Sequence, residues 1–96
     1  MSSKSKDEII SLNGVLQVPT SDILLVEQLL PLHRELTLAE EGCLAFEVHA
    51  DPQNQNLYLV CETFKNRAAF KTHQVRNQAS KWGRETAHLE RQYTIT

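Results

Sequence analysis

His73, Glu62 and Asn13 are the residues whose types and settings could do chemistry in this chain. A neutral imidazole titrates near pH 6.5, so His73 can take a proton from a phenol or an activated carbon at neutral pH. It stands one turn after Ala69 and Phe70, which turns it inward over a sheet; the alternative is a core histidine satisfied by a backbone carbonyl. Glu62 lies in line with Tyr58, Val60 and Phe64. A carboxylate among apolar neighbours is costly unless paired. It therefore orients His73, acts as a base itself, or forms an ion pair with an arginine such as Arg67 or Arg91. Asn13 sits mid-strand between Ser11 and Val15, where an amide has poor β-propensity. Its side chain either holds a substrate oxygen or developing oxyanion, or faces solvent. Phe46, Phe70, Trp82 and Tyr93 are candidate walls of a flat, aromatic substrate pocket, or plain core.

Other chemistries find little support. His33, His49 and His88 are scattered, with no carboxylate or cysteine at ligand spacing, so no metal is expected. Cys43 and Cys61 fall inside apolar strands with no cationic neighbour. They read as buried packing thiols, with a disulfide between adjacent strands the less favoured alternative. The glycines Gly14, Gly42 and Gly83 are isolated and form no phosphate-binding loop. The 10 basic and 12 acidic residues give a formal charge of −2 without a block of one sign. Nucleic acid is thereby disfavoured as a partner. No apolar run approaches the ~18 residues of a membrane span. Residues 1–7 read as a short disordered tail without a signal peptide's apolar stretch, so a cytoplasmic location is expected.

The elements that must position these residues can be read from periodicity. Glu8 to Val18 alternates as strand one, with Ile10, Leu12, Leu16 and Val18 on one face. Helix one is expected from about Ser21 to Glu40, kinked at Pro31, with Leu25, Leu29, Leu32 and Leu36 as its apolar stripe and Val26, Leu30 and His33 beside them. Gly42 stops it. A hairpin follows: Leu44, Phe46 and Val48 in one strand, a polar turn over 51–56, then Tyr58, Val60, Glu62 and Phe64 in the next. Asn66 caps helix two, which carries Phe70 and His73; a helical piece over 79–86 carries Trp82; strand four covers about 88–95. Residues 8–96 thus form one α+β domain, a ferredoxin-like β-α-β-β-α-β chain with a four-stranded antiparallel sheet.

Two helices can cover only one face of such a sheet, yet strands one and three carry apolar residues on both. A second copy of the chain is the economical cover. The expectation is a homodimer packed sheet to sheet through Leu12 and Leu16, or the alternate set, over more than ~1,500 Å².

One ordered set of residues resembles a known family. Glu41-Gly42-Cys43-Leu44-x-Phe46-Glu47-Val48, then Asp51-Pro52, then Tyr58-x-Val60-x-Glu62-x-Phe64, then Ala69-x-x-x-His73 is similar to the antibiotic biosynthesis monooxygenase family, from about Asp22 through Trp82. The resemblance implies a dimeric α/β barrel with a small apolar pocket between sheet and helices. It implies a small-molecule substrate and a reaction run without a cofactor. Activities in similar proteins include cofactor-independent oxygenation of quinols and polyketide phenols, haem degradation, and isomerisation of a phosphorylated sugar. Many members carry a second histidine after the one on helix two; here that stretch is Arg76-Asn77-Gln78-Ala79. The departure weakens the haem and isomerase readings, and helical spacing spreads the cations Lys71, Arg76 and Lys81 instead of converging them on a phosphate. The leading expectation is a cofactor-free monooxygenase with His73 as base and Asn13 and Glu62 steadying the anion. An isomerase and a non-catalytic ligand-binding module are the alternatives.

Overall fold

Ile10, Leu12, Leu16 and Val18 all turn to one side of the first strand, β1 (Ile10–Gln17) or its end, and all four are buried. In this computed structural model, which describes residues 8–96, the expected tail lies outside the described residues. β1 is central: it pairs antiparallel with β3 (Asn54–Phe64) on one side and β4 (Arg91–Ile95) on the other. β2 (Cys43–Asp51) pairs antiparallel with β3, giving the order β2-β3-β1-β4. This is the expected ferredoxin-like sheet. Three helices complete it: α1 (Ile23–Leu38), α2 (Arg67–Ala79) and the short α3 (Lys81–Glu85).

The core lies between the helices and one sheet face. Phe46 and Val48 of β2, Tyr58, Val60 and Phe64 of β3, and Phe70 and Trp82 from the helices are all buried with the β1 residues. The hairpin turn is tighter than the polar composition suggests. β2 and β3 continue to Asp51 and Asn54, so only Pro52 and Gln53 lie between them, with the Gln53 N–H donating to Asp51 Oδ1 at 2.8 Å. As expected, Asn66 caps α2, its Oδ1 accepting from the Ala69 N–H at 2.8 Å. Gly42 does more than stop α1: a Cβ there would stand 2.3 Å from the Ala69 Cβ, so β2 meets α2 closely only because the side chain is absent.

Three expectations are corrected. The inward face of α1 centres on the residues expected beside the stripe: Val26, Leu30 and His33, with Thr37, are buried, while Leu32 and Leu36 of the stripe are 59% and 43% exposed. Both stripes have helical spacing, so periodicity alone could not choose between them. Polar anchors fix the choice: the Tyr58 hydroxyl donates to the Glu27 carboxylate, and Arg76 Nη2 donates to Thr37 Oγ1 at 2.8 Å. Pro31 lies on the exposed side of the unbroken helix, where water can satisfy the carbonyl it leaves unbonded. Second, Cys61 is exposed and Cys43 half-buried, both free thiols, because the alternation of β3 turns Cys61 away from the helices. Third, of the two sets offered for the uncovered face, the first is excluded, because Leu12 and Leu16 lie under the helices. The uncovered face instead carries Val15, Leu57 and Leu59, half-buried in the single chain, among Asn13, Gln17 and Glu47. No helix among the described residues is long and apolar enough to cross a membrane.

Candidate active site

The Asn66 cap starts α2 so that Phe70 and His73, three residues apart, both turn onto the sheet, and both are buried. On the facing strand, alternation brings Glu62 to the same side as Val60 and Phe64, and Glu62 is 7% exposed. The two meet: His73 Nε2 stands 3.4 Å from Glu62 Oε1. The other ring nitrogen is held as well, with Nδ1 3.2 Å from both carboxylate oxygens of Glu40. Arg76, one turn along from His73, pairs with the same Glu40 carboxylate and reaches Thr37. The His73 ring also packs against Phe64, centroids 4.7 Å apart.

Burial alone would lower the His73 pKa. The hydrogen bond and charge of Glu62, then those of Glu40, outweigh it and raise the pKa above the ordinary 6.5. An imidazolium formed here is therefore stabilised on both sides.

This cluster opens on a cavity of about 220 Å³ between the sheet and the helices. Leu12, Leu16, Val48 and Val60 form its floor, Phe70 and Trp82 its helical wall, and Tyr93 and Ile95 of β4 its far side. Gln74, Asn77, Gln78 and Arg91 add polar groups. Arg91 is itself engaged: its guanidinium donates to the carbonyls of Thr86 and Leu89 and to Thr86 Oγ1, while Thr86 Oγ1 donates to the Trp82 carbonyl at 2.6 Å. This chain of bonds clips α3, and with it Trp82, over the end of β4.

Of the residues expected from sequence, His73, Glu62, Phe70, Trp82 and Tyr93 come together around the cavity. Phe46 does not line it; it packs one layer behind, edge-on to His33 at 5.3 Å. Asn13 does not reach it either. It is exposed on the opposite sheet face, because alternation along β1 separates it from Leu12 and Gly14, so within one chain it cannot hold an oxyanion at His73. Lys71 and Lys81 are exposed, and Arg76 is committed to Glu40, so these three cations do not converge on the cavity.

Two residues escaped the sequence reading. Glu40 follows the end of α1, where the helix dipole disfavours a negative charge, and that misplacement was a usable signal of a cationic partner. His33, set aside for lacking metal-ligand neighbours, lines the cavity, stacked on Trp82 with centroids 4.9 Å apart and planes 9° off parallel. Among the described residues no group of three or more His, Cys, Asp or Glu is placed to hold a metal ion.

Comparison with known proteins bears on this arrangement. Residues 11–85 match the family described as antibiotic biosynthesis monooxygenase. None of the curated proteins compared is a significant match. Among solved structures, a Bacteroides thetaiotaomicron protein provisionally named an antibiotic biosynthesis monooxygenase is 15% identical, with a TM-score of 0.79 over 95% of this chain and 88% of its own. A Deinococcus radiodurans protein, provisionally named the same way, is 23% identical, with a TM-score of 0.71 over 92% and 89%. MupZ from Pseudomonas fluorescens is 15% identical, with a TM-score of 0.76 over 99% of this chain and 72% of its own. At these identities the structural likenesses establish the shared fold.

Proposed function

Since the chain belongs to the antibiotic biosynthesis monooxygenase family, we propose that it is a cofactor-independent monooxygenase acting on a small phenolic or quinol-type aromatic. The observation that carries this reading is the His73 imidazole gripped between Glu62 and Glu40 at the edge of an apolar, aromatic-walled cavity. In the tautomer that places the N–H on Nδ1 toward Glu40, Nε2, which faces Glu62 across 3.4 Å, is the nitrogen that takes the proton. The imidazolium that forms is paired on both sides, which favours the transfer.

Once ionised in a water-poor cavity, an electron-rich phenol supplies its own reducing electron. One electron passes to O₂, and the radical pair joins in a carbon–oxygen bond. Loss of water from the hydroperoxide leaves a carbonyl. A ring C–H thereby becomes C=O, one atom of O₂ enters the product and the other leaves as water. His73 moves the proton, Glu62 and Glu40 hold the charge that results, and Phe70, Trp82 and Tyr93 exclude water from the anion. The cavity lies below the usual range for drug-sized ligands, which restricts the substrate to a compact ring system.

The test is O₂ uptake by chelator-treated protein with naphthoquinol-type and anthrone-type substrates. Uptake should exceed the spontaneous rate with one class and fall by about 10²–10⁴ in His73→Ala. No excess uptake with either class, or binding without turnover, would replace this reading with a ligand-binding module.

The same reading includes a homodimer packed through the uncovered sheet face, on Val15, Leu57 and Leu59. The support is that this face carries apolar side chains which no helix of the chain covers.

A further inference from the structure

Among the described residues, two buried side-chain polar atoms lack a hydrogen-bond partner, His33 Nδ1 and Asn77 Oδ1, and both residues line the cavity beside His73. Buried polar atoms are nearly always paired in native proteins, and leaving one unpaired costs on the order of 1–3 kcal/mol. Two such atoms on residues that line one cavity point to what occupies it. A water there can satisfy them, but a ligand that displaces the water must reproduce its bonds or lose affinity.

Both groups are held ready. The backbone carbonyl of Asn77 takes the Ser80 N–H at 3.1 Å and the Ser80 hydroxyl at 2.7 Å. That fixes the turn between α2 and α3 and leaves the side-chain oxygen an acceptor without a partner. His33 is 4% exposed and clamped between the flat face of Trp82 and the edge of Phe46. Burial first, then the charges of Arg76, His73, Arg91 and Arg34, press its pKa down to about 3, so the ring is neutral at working pH. Asn77 lies four residues beyond His73 on α2, which sets the acceptor roughly 6 Å along the helix from the base.

Resting on the reading of His73 as the base, we propose that Asn77 and His33 are specificity-determining residues that bind a second polar substituent of the substrate, remote from the hydroxyl that ionises. That substituent carries an O–H or N–H which donates to Asn77 Oδ1, and His33 Nδ1 completes the contact. A ring with one hydroxyl leaves both atoms unpaired and binds less well.

Trp82, the single tryptophan of the chain, lines the cavity, so its fluorescence reports occupancy without turnover. The experiment is a titration under nitrogen with 1-naphthol and with 1,5-dihydroxynaphthalene. The diol should bind roughly tenfold tighter to the wild type, the worth of one good hydrogen bond. That advantage should vanish in Asn77→Leu and shrink severalfold in His33→Phe, which keeps the aromatic stack and removes the nitrogens. Neither atom bonds to the protein, so both variants should melt no lower than the wild type. Equal affinities in the wild type, an advantage retained in Asn77→Leu, or a lowered melting temperature in both variants would overturn the proposal. Binding is read without O₂, so its failure is distinct from a failure of the oxygenase reading.

Discussion

Glu40 and Glu62 approach the same imidazole from opposite sides, one on each ring nitrogen of His73. They come from different layers: Glu40 follows the end of a helix, Glu62 stands on the central part of the sheet, and α2 inserts the histidine between them. The two carboxylates are unequal. Glu40 is also neutralised by Arg76, whereas Glu62 faces the cavity. The arrangement therefore has a supporting side and a reacting side.

Replacing Glu40 by Gln should expose that division. Losing one of the two charges that raise the His73 pKa should move its titration midpoint down toward 6.5. Proton-transfer activity should then begin at lower pH but reach a lower plateau, because the imidazolium is less well stabilised. The His73 ring-proton NMR titration and the pH–rate profile check this together. A midpoint unmoved in Glu40→Gln would remove Glu40 from the role.

The two buried histidines should pull stability in opposite directions with pH. His73, with its pKa raised above 6.5, contributes stability that is fully present below 6.5 and is lost as pH rises through its folded value. His33, depressed to about 3, contributes stability present above 6.5 and lost as pH falls toward 3, at ~1 kcal/mol per pH unit. Thermal melts from pH 7 to pH 4 should show the wild type losing stability that His33→Phe retains. Parallel curves for the two proteins would contradict it.

Gly14→Ala should loosen β4. A Cβ at Gly14 would stand 2.1 Å from the Gln92 carbonyl oxygen and 2.7 Å from the Tyr93 ring, and a backbone atom cannot yield cheaply. The expected loss is about 1–3 kcal/mol by chemical denaturation, with faster hydrogen exchange at the β4 amides. Exchange accelerated evenly over the whole sheet would argue against a local clash.

Light scattering of dilute protein should give a mass twice the 11.0 kDa of the chain. Leu59→Glu, on the uncovered face, should return it to monomer with the fold intact. A wild-type mass near 11.0 kDa at micromolar concentration would refute the sheet-to-sheet dimer.

Much of this was legible in the sequence because strands announce their faces. Alternation along β1 and β3 put Leu12 with Leu16, and Val60 with Glu62, on shared faces, and the Asn66 cap set the phase of α2, so Glu62 could be offered as one partner of His73 beside an arginine. Where two patterns had the same period, the reading failed. The leucines of α1 advertised one face, but long-range bonds from Tyr58 and Arg76 selected the other, and with it brought His33 inward. Asn13 was misjudged for a different reason: poor strand propensity marks a residue as unusual without saying which side of the sheet it serves. Glu40 meets His73 across 33 positions of chain, a separation that no local pattern encodes.

The position of β4 has a consequence for the order in which the protein is made. Tyr93 and Ile95 close the far side of the cavity, yet among the described residues β4 pairs in the sheet with β1 alone, at the other end of the domain. During synthesis, β1, the hairpin and both longer helices leave the ribosome first. Until residues 91–95 follow, β1 presents an open row of backbone donors and acceptors to the cell. Joining the two strands requires a long loop to close, the kind of contact that slows folding. A nascent chain stalled before that point would carry its His73–Glu62 pair beneath an unfinished wall, with a sticky strand beside it.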